Sequence, residues 1–296
     1  MFATKFLDPK NDFAFRQIFG TEKNKDILIH FLNDVLSFPQ NGKIREVTFL
    51  KTVQDPEIAS KKQSIVDVLC KDEKGVQYIV EMQVARVEGF VKRAQYYAAK
   101  AYSNQLDNGS AYHTLNQVIF LAITDFLMFP KKTGHKSEHV VLDNDTHEHD
   151  LENFSFTFLE LPKFKKELGT FSTLEEKWMY FFKHAPTTEP DELEKLIGKD
   201  LVIRQAYKAL SPCYWTQEEL ATYERVKKNQ LDAQALISGA TAEARAEGRA
   251  EGLVEGWAAA KQDGIRETAM HMLEQGIPMK TVLSITGLHP SDLSKK

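Results

Sequence analysis

The spacing of apolar positions changes period several times along the chain. Asp8 to Phe19 opens on Asp-Pro, suited to a helix start, and Phe13, Ile18 and Phe19 give it a partial apolar stripe. Asn24 to Leu36 places Ile27, Leu28, Phe31, Leu32 and Val35 on one helical face and stops before Pro39. The period then shortens. Ile44 to Leu50, Ser64 to Cys70 and Val76 to Val84 are short, β-branched and apolar, which predicts three strands. Glu88 to Leu106 returns to helical spacing and ends at Asn108-Gly109. Gln117 to Thr124 is almost wholly apolar, as a strand covered on both faces requires, and Glu138 to Leu142 and Phe154 to Leu161 predict two more strands. This order describes a mixed α/β domain over 1–165. From Ser172 onward the pattern is helical: Leu174 to His184, Asp191 to Ile197, Leu201 to Leu210, Gln217 to about Gly264, and a last pair over Ile265 to Gln275 and Met279 to Thr286. We divide this part into a helical region, 166–232, and a long Ala/Gly-rich helix with a small helical tail, 233–296.

The segment Ser64-Ile65-Val66-Asp67-Val68-Leu69-Cys70 and the segment Tyr78-Ile79-Val80-Glu81-Met82-Gln83 each carry one acid among apolar residues. Between them, Asp72-Glu73-Lys74-Gly75 suits a three-residue hairpin loop with a Gly bulge, pairing residue 72 with 76. Continued along the strands, that register sets Asp67 opposite Glu81, with Gln83 on the same face two residues on. Facing carboxylates repel unless a cation lies between them. Mg²⁺ is the expected ion, with Mn²⁺ as a substitute, because Mg²⁺ is commonly held by one or two carboxylates plus waters and a substrate phosphate. Such an ion polarises a phosphodiester and lowers the pKa of bound water.

Asp67 followed by Glu81-Met82-Gln83 at the end of the next strand resembles the PD-(D/E)XK nuclease superfamily. Within it the chain is similar to the recombination-promoting nuclease and putative transposase (Rpn) family. The similarity runs over about residues 5–165, through Asp-Pro-Lys-Asn-Asp-Phe-Ala-Phe-Arg-Gln-Ile-Phe-Gly from Asp8, Phe31-Leu32-Asn33, Ile65 to Val68, Ile79 to Gln83 and the Arg93 to Tyr102 helix. The resemblance implies a restriction-endonuclease-like mixed sheet flanked by helices, followed here by an all-α C-terminal region. It also implies metal-dependent endonuclease activity on DNA, in recombination, mobile-element or defence settings. By the same resemblance Asp67 and Glu81 are the metal-binding acids, Gln83 stands in the place of the usual lysine, and Asp12 is the acid of the first helix. Two departures stand out. Neutral Gln83 can only hydrogen-bond where lysine brings charge, and Val66 replaces the proline before the aspartate.

Composition adds limits. At 296 residues, 42% hydrophobic and 27% charged, the chain has enough apolar surface for a sizeable core. No apolar run reaches membrane-spanning length and the opening MFATKFLDPKNDF lacks a signal peptide's apolar core, so a cytoplasmic protein without a membrane partner is expected. Cys70 and Cys213 read as buried thiols. The net charge of −4 calls for no nucleic acid by itself; a DNA-binding stripe must be local, drawn from Lys61, Lys62, Lys92 and Arg93, of which Lys62, Lys92 and Arg93 are the expected contacts. His135, His139, His147 and His149 match no familiar zinc spacing. Small residues recur every four positions at Ala240, Ala244, Gly248, Gly252, Gly256, Ala260 and Gly264, which predicts a homodimer or higher oligomer through the C-terminal helices. The Gly276-Ile277-Pro278 turn resembles a helix-turn-helix, but its second helix offers only Lys280 as a cation. The alternative to a nuclease is a catalytically weak nuclease fold serving as a DNA-binding or oligomerisation module.

Overall fold

The computed structural model describes residues 5–38, 42–54, 64–106, 111–198 and 200–293. The chain forms two compact units, Met1–Asn229 and Gln230–Lys296.

In the first unit, α1 (Asp12–Phe19) begins four residues later than Asp8. The Asp8 carboxylate instead accepts the Lys10 N–H at 2.9 Å, holding Pro9 in a turn, and Asn11 caps the helix by accepting the N–H groups of Phe13 and Ala14. Phe15, Ile18 and Phe19 face inward, while Phe13 lies half-buried against Trp215. α2 (Lys25–Val35) buries the apolar face its spacing predicts.

Eight strands follow in chain order with α3 among them: β1 (Val47–Phe49), β2 (Val53–Gln54), β3 (Ser64–Ile65), β4 (Val68–Asp72), β5 (Gln77–Gln83), α3 (Phe90–Ser103), β6 (Val118–Thr124), β7 (Lys136–Val140) and β8 (Phe154–Glu160). The main sheet runs β1-β4-β5-β6-β8-β7, while β2 and β3 pair separately. β5, β6 and β8 are parallel, and their carboxyl ends align at Gln83, Thr124 and Glu160. β6 is buried throughout. Ile119, Leu121 and Ile123 join the core beneath α1 and α2, and Val118, Phe120 and Ala122 pack in the core that holds Phe90, Ala94 and Ala98 of α3. β7 starts two residues earlier than Glu138, because the pairing of Lys136 with Leu159 extends the ladder toward His135.

The strand expected over Ser64 to Cys70 is interrupted at Val66 and Asp67. The Asp67 N–H donates to the Glu81 carboxylate at 3.1 Å, and the Asp67 carboxylate accepts the Met82 N–H at 3.0 Å. Side chains thereby take main-chain bonds that an unbroken ladder would make.

Helices α4 (Leu174–His184), α5 (Pro190–Ile197), α6 (Leu201–Ala209) and the start of α7 (Gln217–Glu274) complete the unit. Trp178, Phe181 and Phe182 of α4, Tyr207 of α6 and Tyr223 of α7 lie in the same core as α1 and α2. Cys70 is buried, which pushes its thiol up to about 12. Cys213 is exposed, contrary to expectation: it sits in the short turn Pro212–Tyr214 rather than under an apolar face.

In the second unit α7 continues to Glu274 instead of ending near Gly264. One glycine costs about 1 kcal/mol in a helix interior, too little to end a long one without a left-handed cap. Those caps occur later, at Gly276 (φ 83°) and Gly287 (φ 69°), around α8 (Met279–Thr286), with α9 (Pro290–Leu293) beyond. No described helix is long and apolar enough to cross a membrane.

Candidate active site

The hairpin that sets the site forms as its turn chemistry requires. The Asp72 N–H donates to the Val76 carbonyl, Gly75 adopts φ 89°, and the Asp72 carboxylate accepts from Lys74, Val76 and the Tyr78 hydroxyl. Val68 pairs with Val80, so the register carried one step further sets Asp67 against Glu81. Both side chains are buried, 8% and 5% exposed. Burial and the Asp67 charge push the Glu81 carboxyl from 4.5 up to about 8.

Each acid has a cation nearby, from opposite sides of the sheet. Arg16 of α1 donates from Nε (3.1 Å) and Nη2 (2.8 Å) to the same Asp67 oxygen, Oδ1. Arg93 of α3 is held by the faces of Phe90 and Tyr97, at 4.9 and 5.9 Å from the ring centroids, and its charge reaches Glu81. Arg93 Nη2 donates to Gln83 Oε1, while Gln83 Nε2 donates to the Ala85 carbonyl at 3.0 Å. The amide is therefore clamped at both ends. Where the superfamily pattern has a lysine, this chain has a glutamine joined to an arginine from the next helix.

Asp67 and Glu81 come together in the register the turn predicts, with Gln83 two residues on, and Arg93, expected only as a DNA contact, joins them through Gln83. Asp12 lies in the first turn of α1, one turn before Arg16 on the same flank of the helix. Lys92 is exposed beside Arg93 on α3. Lys61 and Lys62 lie outside the described residues. Arg16 escaped the sequence reading, although its spacing of four from Asp12 puts both on the polar side of α1 and was a usable signal.

Among the described residues no group of three or more His, Cys, Asp or Glu side chains gathers as a metal cage. The loop histidines have separate surroundings: His135 contacts Glu175 at 2.8 Å, and His139 stacks near Phe129 and Phe158. The Asp67–Glu81 pair nevertheless fits a hard divalent cation, because two buried oxygen-donor side chains leave most of the coordination to water and phosphate, as Mg²⁺ prefers. Its mutual repulsion is what such an ion relieves.

The model of the PD-(D/E)XK nuclease family transposases matches residues 9–240. The chain belongs to that family. No curated protein and no solved structure matches it. The matched span includes the whole six-stranded sheet, α1, α3 and the four polar groups around Glu81, so the family's nuclease-like fold and this cluster belong to the same unit.

Proposed function

We propose that the protein is a divalent-metal-dependent DNA endonuclease, using Mg²⁺ with Mn²⁺ as a substitute, and that it acts in recombination, mobile-element movement or defence. The observation that carries this reading is the buried Asp67–Glu81 pair, two carboxyl groups set face to face with Arg16 bonded to Asp67 and Arg93 beside Glu81. Asp67 and Glu81 hold the ion, Glu81 after losing the proton that burial and Asp67 favour. Bound there, the ion supplies a Lewis acid for the phosphodiester and an acidified water. Arg16 balances Asp67 in its absence and is positioned to turn toward a phosphate. Arg93 provides the positive charge that Gln83 lacks, and Gln83 fixes where that charge points. Asp12 is the further acid from α1, and Lys92 with Lys62 extends the DNA contact.

The test is incubation of the pure chain with supercoiled and linear DNA in Mg²⁺, Mn²⁺ or Ca²⁺. Asp67→Asn keeps the shape and removes a ligand charge. Cleavage is expected to fall by more than about 100-fold, since even groups outside a metal's direct ligands commonly contribute about 10- to 100-fold. DNA binding without nicking, indifferent to metal and to Asp67→Asn, would instead support the binding or assembly module.

The second unit is assigned to self-association along 240–264. A Cβ added at Gly248, Gly252, Gly256 or Gly264 meets no described atom within 4 Å outside the local helix, and Leu253, Val254 and Trp257 are exposed. A period of four winds around a helix with 3.6 residues per turn, so a partner helix crosses at an angle.

A further inference from the structure

Parallel strands that end together present their following loops to one place, where α/β sheets commonly bind ligands. Here β5, β6 and β8 end at Gln83, Thr124 and Glu160. After β5 the chain leads to Arg93. Immediately after β6 stands Asp125, whose N–H donates to the Gln83 carbonyl at 3.0 Å. After β8 come Lys163, Lys165 and Lys166. Lys163 and Lys166 are committed to Glu160 and Glu176, but among the described residues Lys165 has no ion pair and is exposed.

Other elements add cations at the same sheet end. Lys10, in the turn before α1, bonds Asp125 at 2.8 Å. Lys183 of α4 donates to the carbonyl of Phe164, the neighbour of Lys165, at 2.7 Å. Its ammonium is shifted toward the neutral form by burial and then by Lys165, against the pull of Asp125, with Lys10 adding to the shift. His184 is also shifted toward neutrality, by burial and then by Lys183 and Lys10. Lys227, exposed on α7, lies one turn beyond Tyr223, whose hydroxyl accepts the Asp8 N–H at 3.0 Å, and its charge acts on half-buried Asp8 together with that of Lys10. Lysines that raise one another's energy are costly to keep together unless an anion joins them. Asp125 pairs with Lys10, and Asp8 is a second acid beside it, its carboxyl raised by burial and held down by Lys10 and Lys227. Among the described residues Lys165 and Lys227 are left with no ion pair to answer their charge, on a chain whose net charge is −4.

We propose that Lys10, Lys165, Lys183 and Lys227 form a seat for the phosphate backbone of duplex DNA, continuous with the candidate active site through Asp125 and Gln83. The seat rests on the nuclease reading and extends it: it names the surface that carries the duplex away from the cutting point. It differs from the α3 contacts because Lys10 and Lys183 belong with α1 and α4, whose apolar residues share one core, while α3 packs in the core on the other face of the sheet, so the two grip the backbone from opposite faces.

The test uses the full chain carrying Asp67→Asn, which keeps the probe intact, and follows anisotropy of a labelled duplex over a range of salt. Lys165 and Lys227 are the positions to change, being exposed and without ion pairs among the described residues. Each phosphate contact contributes about 0.9 to the slope of log affinity against log salt, so Lys165→Ala with Lys227→Ala should reduce that slope by about 2. The paired Lys→Arg variant should keep it, which separates lost charge from altered folding. If the double alanine protein binds with an unchanged slope and affinity, the seat is wrong while the nuclease reading stands. If the parent protein shows no duplex binding at any salt, the nuclease reading falls and the seat with it.

Discussion

Glu81 and Glu160 are buried carboxylates near the carboxyl ends of two parallel strands, with β6 between them, and they are 5% and 1% exposed. Glu160 is fully engaged. One of its oxygens accepts the N–H groups of Met128 and Phe129, and the other pairs with Lys163, which also donates to the Phe129 carbonyl. Glu81 accepts the Asp67 N–H but faces a second carboxylate, and its proton affinity is raised accordingly. The contrast shows how burial alone misleads. A buried acid whose lone pairs and charge are answered locks a loop to the sheet, whereas a buried acid set against a second carboxylate, with its proton affinity raised, is the one we propose to bind a cation.

The largest expected effect that separates the two is on stability. Glu160→Gln leaves Lys163, itself almost wholly buried, without its counter-charge, and breaking a buried pair typically costs about 3–5 kcal/mol. Denaturant unfolding should show that loss. The conservative change Glu81→Gln keeps an acceptor for the Asp67 N–H and relieves repulsion, so it should leave the metal-free protein as stable or more so. Equal destabilisation by both substitutions would erase the distinction.

A smaller effect sharpens the functional side. Gln83→Lys introduces the superfamily's lysine, but it sets an ammonium against the Arg93 guanidinium. Cleavage should fall by about 10-fold, equivalent to ~1.4 kcal/mol, and Gln83→Lys with Arg93→Gln should recover most of it. Independent effects of the two changes would show that the pair does not act as a unit. The smallest change lies in the second unit: Gly252→Leu gains nearly ~1 kcal/mol of intrinsic helix propensity yet fills the small-residue track. Light scattering should show a folded chain shifted toward monomer, and a wild-type protein already monomeric at tens of micromolar would remove the self-association proposal.

Much of this site is legible in the amino-acid sequence because it depends on local chemistry. Asp72 and Gly75 specify the turn, the turn specifies the register, and the register brings Asp67 to Glu81. The break at Asp67 is not legible. Alternating apolar residues describe a continuous strand, and periodicity carries no sign that carboxylates will take the main-chain bonds. Arg16 hides for a related reason, since a charged residue on the polar flank of an amphipathic helix looks solvated until the helix is laid on the sheet. At Gly264 the difficulty is energetic: a glycine reads as a stop, but its cost falls short of ending the helix. The exposure of Cys213 likewise depends on a turn among aromatic residues whose packing sequence spacing does not encode.

Whether Asp67 and Glu81 are held in repulsion for a divalent cation is read most directly from the melting temperature of wild type and Glu81→Gln against pH, with and without Mn²⁺. A carboxyl with a raised folded pKa binds more protons folded than unfolded, so its contribution is present at low pH and is lost as pH rises between 4.5 and about 8. Metal-free wild type should therefore lose stability across that window relative to Glu81→Gln, and Mn²⁺ should restore it in wild type far more than in the variant. Parallel pH curves for the two proteins, or an equal response of both to Mn²⁺, would contradict the account.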